Sequence, residues 1–305
     1  MHNYPLVSVY TCVYNGERTI HRVFKSMKAL NYPNIEHIIV NDGSTDRTEE
    51  LVQEYMDQVP FVVKYHKKEN GGKHTALNIA WDLAEGKFLL KLDADDELLP
   101  DSAKFLVDTY YSIPEEIRNQ YWCVHGRCIT QHGEFVGDKY PENINAQHWI
   151  EAGKEAAKCS GEKIGIQVRE YLAPYRFPEV VGVSHVPEGV IWNQINRKYG
   201  TWYTNEIVRV YYVGEGGNLC ARGTARRHYN PSAYYCKWKL MHPQWYSISF
   251  KSLVYYSLFY FISDKKYRRN NGYLEGLSDY RLTLALLAPL AFIGAIAFRI
   301  IRKLK

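Results

Sequence analysis

The chain has 305 residues, 46% of them hydrophobic and 23% charged, which is enough for a sizeable buried core and too apolar for intrinsic disorder. Its formal charge of +5 is modest and no run of five basic residues occurs, so nucleic acid is not an expected partner. Six cysteines (Cys12, Cys123, Cys128, Cys159, Cys220 and Cys236) form no C-x-x-C pair, which argues against a structural zinc site.

Residues 6–12 form a short apolar, β-branched run and predict a buried strand. Strand-like sequence this early leads to the expectation of no signal peptide and of free thiols in a reducing cytosol. Asn15-Gly16 breaks the run. From Glu17 to Leu30 the apolar residues Ile20, Val23, Phe24 and Met27 recur at helical spacing. Residues 35–40 predict a second strand, followed by the polar loop 42–46, where Ser44, Thr45 or Asp46 can cap a helix reaching about Val59. Residues 61–65 predict a third strand, 70–72 a glycine loop and 73–84 a helix. Residues 87–92 predict a fourth strand that runs straight into Asp93-Ala94-Asp95-Asp96, and a helix starts near Pro100.

Alternating strands and helices predict a doubly wound parallel sheet. In such sheets ligands gather at the carboxyl ends of the strands. The polar clusters 12–15, 41–46, 67–73 and 93–96 all lie at such ends, and this convergence weighs more than any one motif.

Past Tyr110 the chain is rich in tyrosine, of which there are 26 in all. Residues 122–130 predict a strand with a hairpin return near His132-Gly133, residues 188–199 a helix, and residues 205–213 a strand. The stretch 138–180 has no clear periodicity.

Three aspartates within four residues repel one another, and this crowding would raise the pKa of one of them unless a cation is present. Mg²⁺ and Mn²⁺ take oxygen ligands and often bind through one or two carboxylates plus substrate phosphates. Alternation puts Asp93 and Asp95 on one face and frees Asp96 to anchor the loop. The competing reading is a solvated acidic turn with a helix-capping Asp.

Four motifs occur in order: residues 7–15 (VSVYTCVYN), 39–46 (IVNDGSTD), 70–78 (NGGKHTALN) and 92–96 (LDADD). Together they resemble the inverting glycosyltransferases of family 2. The resemblance implies an α/β GT-A fold, a Rossmann-like doubly wound mixed sheet with helices on both faces. It implies a catalytic domain over residues 1–230, with a nucleotide-sugar half at 1–110 and an acceptor half at 111–230. Cys12, Val13 and Tyr14 would surround the base, with Glu17 nearby, and Asp42 would accept from a base N–H, most often of uracil. Lys73 would approach the diphosphate, Asp93 and Ala94 would lie near the ribose and donor sugar, and Asp95 would ligate Mn²⁺ or Mg²⁺. A UDP-linked sugar is the implied donor.

Inversion needs a base for the acceptor hydroxyl. The family's acidic pair maps onto Glu188-Gly189, so the usual Asp is a glycine here and Glu188 becomes the candidate. Asp138 and Glu170 are weaker candidates, with His185 as a helper. Arg222, Arg226, Arg227 and His228 sit among glycines in a loop able either to close over a diphosphate or to stay a basic surface loop.

Residues 282–298 carry no charge and are flanked by Arg281 and Arg299. Upstream aromatics and basic residues suit an anionic membrane surface. Residues 231–305 are therefore expected to form a membrane-associating helical tail at the cytoplasmic face, which points by analogy to a lipid-linked glycan acceptor. A core helix or an oligomer contact is the alternative. Two other functions are weighed. A nucleotidyltransferase should carry an early glycine-rich basic loop, which residues 13–17 are not. An inactive scaffold would fit Gly189 but not the intact aspartates.

Overall fold

The apolar run at the start of the chain becomes β1 (Val7–Val13), in which only Cys12 escapes full burial. The computed structural model describes residues 4–179 and 185–214. After β1 come β2 (Ile35–Asn41), β3 (Val62–Lys67) and β4 (Phe88–Lys91), joined by α1 (Ile20–Lys28), α2 (Thr48–Met56) and α3 (Lys73–Leu83). Strands covered on both faces need nearly continuous apolar sequence. In β2 the exceptions are Glu36, His37 and Asn41, all buried, and each has partners. Ser8 Oγ donates to Glu36 Oε1 at 2.5 Å, and Lys64 Nζ lies 2.8 Å from Glu36 Oε2. His37 sits between Thr11 Oγ1 and the Tyr55 hydroxyl, 3.1 Å from each. Asn41 Nδ2 donates to the Tyr65 hydroxyl at 2.9 Å.

The helix expected from Glu17 begins at Ile20 instead. Gly16 O accepts from the N–H groups of Thr19 and Ile20 at 2.9 Å, closing a turn before the helix. Its buried face carries Ile20, Val23, Phe24 and Met27, as the spacing predicts.

The chain continues through β5 (Glu97–Leu98), α4 (Ser102–Ser112), α5 (Glu115–Arg118), β6 (Tyr121–Thr130), a 3-10 turn at Ile144–Ala146, α6 (Trp149–Ala156), β7 (Lys163–Val168), α7 (Arg169–Leu172), α8 (Gly189–Ile195) and β8 (Gly200–Tyr211). Two expectations shift. The helix at 188–199 shortens to α8, because Ile195 O accepts the N–H groups of Lys198 and Tyr199 in a closing turn. β8 then begins at Gly200 rather than Asn205, because β6 pairs with it from Tyr121 onward. The aperiodic stretch 138–180 contains α6, β7 and α7. There β7 pairs with β4 and β6, and its Ile164, Ile166 and Val168 alternate with Lys163, Gly165 and Gln167 over only six residues.

The eight strands form one sheet in the order β3-β2-β1-β4-β7-β6-β8-β5. β3, β2, β1 and β4 run parallel, β7 is antiparallel to β4 and β6, β6 is parallel to β8, and β5 is antiparallel to β8. The sheet is therefore mixed, as the GT-A expectation requires. From β1 the chain winds outward through β2 and β3, then returns to β4 on the other side of β1. That reversal opens a crevice at the carboxyl ends of β1 and β4, where ligands of such sheets bind.

The chain divides into two units, Met1–Phe177 with Ile195–Glu215 and Pro178–Gln194 with Gly216–Lys305. The sheet belongs to the first. The described part of the second holds Glu188 and most of α8. No helix among the described residues is long and apolar enough to cross a membrane. The 282–298 segment, the rest of the expected tail and the loop with Arg222, Arg226, Arg227 and His228 lie outside the described residues.

Candidate active site

The strand ends are tied together by side chains that each reach about thirty residues along the chain. Asn15, in the left-handed region at φ 51°, donates its N–H to Ser44 Oγ at 2.9 Å and accepts from Thr45 N at 2.8 Å through Oδ1. Gly16 N donates to Thr48 Oγ1 at 2.8 Å, Glu17 N to Asp46 Oδ2 at 3.0 Å, and Arg47 N to Glu17 Oε2 at 3.2 Å. Asp46 also accepts from Thr48 N at 3.1 Å just before α2, but the N-cap of that helix is Arg47 rather than Ser44, Thr45 or Asp46.

Asp42 clasps the next loop. Its Oδ1 accepts from Lys68 Nζ at 2.7 Å and Gly71 N at 2.9 Å, and its Oδ2 accepts from Gly72 N at 2.8 Å. A carboxylate offers about four acceptor positions, so one remains for another donor such as a base N–H. Two glycines permit the close approach. A Cβ on Gly43, at φ +77°, would stand 2.7 Å from Asn70 N. Gly72, at φ 95°, turns the chain into α3 and so aims Lys73 at the crevice.

Lys73 Nζ lies 2.5 Å from Asp93 Oδ1. Lys91 Nζ lies 3.6 Å and Arg209 Nη1 3.1 Å from Asp93 Oδ2. Burial works against charge on Asp93, but Lys73, Lys91 and Arg209 outweigh it and hold its carboxyl far below the usual carboxylate range. Asp95 behaves in the opposite way: burial and the neighbouring Asp93 charge push its carboxyl up. A cation placed beside Asp95 would reverse both effects. Asp96 is fully buried. Burial pushes its carboxyl up to about 7, with Arg209 pulling the other way. Its Oδ1 accepts from Tyr212 N at 3.0 Å, and its Oδ2 lies 3.2 Å from Arg209 Nη1. Asp96 is thus a loop anchor, as the alternation predicts.

Among the described residues no three carboxylates, histidines or cysteines converge to form a metal cage. The donor set at Asp93 and Asp95 instead fits a divalent ion shared with substrate oxygens and water, the usual manner of Mg²⁺ and Mn²⁺.

The other expected residues sit as follows. Cys12 is half-buried, Val13 is buried with its carbonyl accepting from Asp42 N at 2.8 Å, and Tyr14 is exposed at the loop tip. Ala94 packs half-buried against the core. Glu188 belongs to the second unit, where Trp192 Nε1 donates to its Oε2 at 3.3 Å. Asp138 is exposed, with Oδ2 engaged by Ser160 N and Oγ at 2.8 and 2.7 Å, and Glu170 is exposed in α7. Asp42, Lys73, Asp93 and Asp95 therefore share one corner of the first unit.

Sequence reasoning passed over Lys91, Arg209 and Arg22. Lys91 ends the apolar run Phe88-Leu89-Leu90 and Arg209 stands between Val208 and Val210, and a charge at such a position needs a partner. That was a legible signal. Arg22 Nη1 donates to Asp95 O at 3.2 Å, and its guanidinium lies 3.8 Å from the Tyr212 ring centre.

Residues 8–117 match the family model described as Glycosyl transferase family 2. An uncharacterized glycosyltransferase of Rickettsia bellii is 33% identical over 145 residues, covering 46% of this chain and 20% of that protein. The chain spans only a fifth to a third of the length of this and two other curated relatives. Among solved structures, S. aureus TarS 1-349 in complex with UDP-GlcNAc superposes with a TM-score of 0.56 at 17% identity, over 95% of this chain and 79% of that one. The mannosyltransferase PcManGT from Pyrobaculum calidifontis, in complex with GDP-Man and Mn²⁺, gives 0.53 at 19% identity, over 99% and 80%. At these identities the likeness is one of fold.

Proposed function

We propose, from the match of residues 8–117 to the Glycosyl transferase family 2 model and from the GT-A fold, that the chain is a metal-dependent inverting glycosyltransferase. It moves a hexosyl or N-acetylhexosaminyl group from a UDP-sugar to a hydroxyl of a lipid-linked glycan. The observation that carries this reading is the corner where Lys73, Lys91 and Arg209 surround Asp93 beside a half-buried Asp95. Such a corner offers the partly open Lys73 to phosphate oxygens and a carboxylate to a divalent ion.

In this reading Asp42 accepts a base N–H through its remaining lone pair, and the exposed Tyr14 and half-buried Cys12 flank the base. Lys73 turns part of its charge from Asp93 to the diphosphate. Asp95 would hold Mn²⁺ or Mg²⁺, whose chemistry is to neutralise charge building on the leaving diphosphate. The acceptor oxygen attacks the anomeric carbon from the face opposite the diphosphate, the bond from that carbon to the phosphate oxygen breaks, and UDP leaves. Glu188 takes the acceptor proton. Trp192 Nε1 donates to one oxygen of that carboxylate and orients it. The UDP-GlcNAc complex of TarS and the Mn²⁺ complex of PcManGT support the choice of donor class and ion. The uncharged 282–298 segment and its basic flanks support a place at the cytoplasmic membrane face, next to a lipid-linked acceptor.

The deciding experiment is a thermal-shift panel of nucleotide sugars with each metal, followed by a transfer assay with the stabilising donor. Specific binding stabilises the folded state by mass action. A UDP-sugar that stabilises the protein only with Mn²⁺ or Mg²⁺ is expected. Glu188→Gln should keep that shift and lose transfer, whereas retained turnover places the base elsewhere. No shift with any nucleotide sugar overturns the reading.

A further inference from the structure

The end of β8 grips the acidic turn at several points. Leu99 N donates to Val208 O at 3.1 Å, Glu97 and Leu98 pair with Val210 and Arg209, and Tyr212 N donates to Asp96 Oδ1 at 3.0 Å. Arg209 reaches furthest into the turn. Its side chain is 1% exposed, and Nη1 lies between Asp93 Oδ2 at 3.1 Å and Asp96 Oδ2 at 3.2 Å. The 3.2 Å contact is an ion pair by distance rather than an aligned hydrogen bond. Nη2 lies 3.4 Å from Glu162 Oε2.

Nothing in the turn itself opposes the mutual repulsion of three carboxylates. Its own backbone bond, Asp96 N to Asp93 O, is 3.2 Å long. A guanidinium beneath the outer two acids removes that repulsion and sets their spacing. It also engages Asp93 Oδ2 and Asp96 Oδ2, so these contacts fall on the outer acids and leave Asp95 as the acid turned to a ligand. A lysine could not do the same, because a point ammonium lacks the planar fork that joins two acids on one side and a third on the other.

We propose that Arg209 is a positioning residue for the donor-diphosphate corner: it holds Asp93 and Asp96 apart at a set distance so that Asp95 meets the divalent ion in register with Lys73. The inference rests on the glycosyltransferase reading. With its side chain 1% exposed, Arg209 acts through Asp93 and the turn.

The test is calorimetry of UDP with and without Mn²⁺ on the full chain and on Arg209→Lys, Arg209→Gln and Glu162→Gln, with circular dichroism as the folding control. Groups that orient a metal ligand typically matter by about 10- to 100-fold in affinity. Folded Arg209→Lys should bind UDP in Mn²⁺ about tenfold more weakly or worse, while its metal-free UDP affinity stays within about twofold. A merely structural role would lower both affinities together. Glu162, whose side chain is 47% exposed, anchors the far end of the guanidinium, and its loss leaves the core intact. If both Arg209 variants fail to fold, Glu162→Gln decides, with a weakening of several-fold in Mn²⁺ alone expected. Wild-type Mn²⁺-dependent affinity in every folded variant overturns the inference. Absence of Mn²⁺-dependent UDP binding in the unaltered protein instead overturns the reading beneath it.

Discussion

Lys73 and Asp93, twenty residues apart, meet at 2.5 Å where the start of α3 faces the end of β4. One is the first residue of a helix opened by Gly72, and the other follows the last strand of the parallel set. Their contact brings the third and fourth motifs of the sequence into one corner. Both side chains stay partly open, at 26% and 19% exposure, so the ammonium is still reachable by an incoming anion.

Lys73→Met is expected to weaken UDP binding by roughly 10- to 100-fold, the worth of one charge-assisted contact at about 1.5–3 kcal/mol. Isothermal calorimetry in Mn²⁺ measures this. Unchanged affinity would mean that Lys73 serves only to neutralise Asp93.

Asp95→Asn separates function from stability. Its carboxyl is raised by burial and by Asp93, so its charge opposes folding in the metal-free protein. The variant should lose Mn²⁺-dependent UDP binding, and its melting temperature without ligand should equal or exceed that of the wild type. A clear drop in that temperature would show the carboxylate to be structural.

His37 supplies a pH signature of the fold. Burial alone lowers its pKa from 6.5 to about 3, so it is neutral in the folded protein and protonated in the unfolded chain between those values. The unfolded state then binds more protons, and stability falls as pH drops from about 6.5 toward 3. The slope from this group is about 1.4 kcal/mol per pH unit. Denaturant titrations at several pH values should show His37→Gln losing roughly one proton's worth of slope, though starting less stable because Thr11 and Tyr55 lose a partner. An unaltered slope would place the acid sensitivity in other groups.

Deleting residues 281–305 is expected to release the protein from membranes while leaving UDP binding within about twofold, since a single apolar segment with basic flanks is the anchor in this reading. Flotation with vesicles containing anionic lipid measures it. If the truncated chain still floats, the anchor lies upstream, among the aromatics of residues 245–261.

Much of the first unit was legible because its signals are local. Val7, Val9 and Val13 in one strand, or Ile20, Val23, Phe24 and Met27 in one helix, show their period within a single element. The stretch 138–180 was not, because its elements are short pieces: α6 has eight residues, β7 six and α7 four, so the alternation of Ile164, Ile166 and Val168 is brief and stands alone. The early start of β8 escaped notice for another reason: Gly200 and Thr201 become strand by pairing with Tyr121 and Cys123, about eighty residues earlier in the chain.

By itself the sequence determined the alternation of strands and helices, the four polar strand ends and the crowding of Asp93, Asp95 and Asp96, since each depends on residues close together in the chain. Only the tertiary structure decided how that crowding is relieved. Arg209 stands 116 residues beyond Asp93 and reaches it because β8 runs beside β6 and carries β5 on its outer edge. Strand order in a sheet is a product of global packing, and no local period records which distant cation will end beneath a cluster of acids.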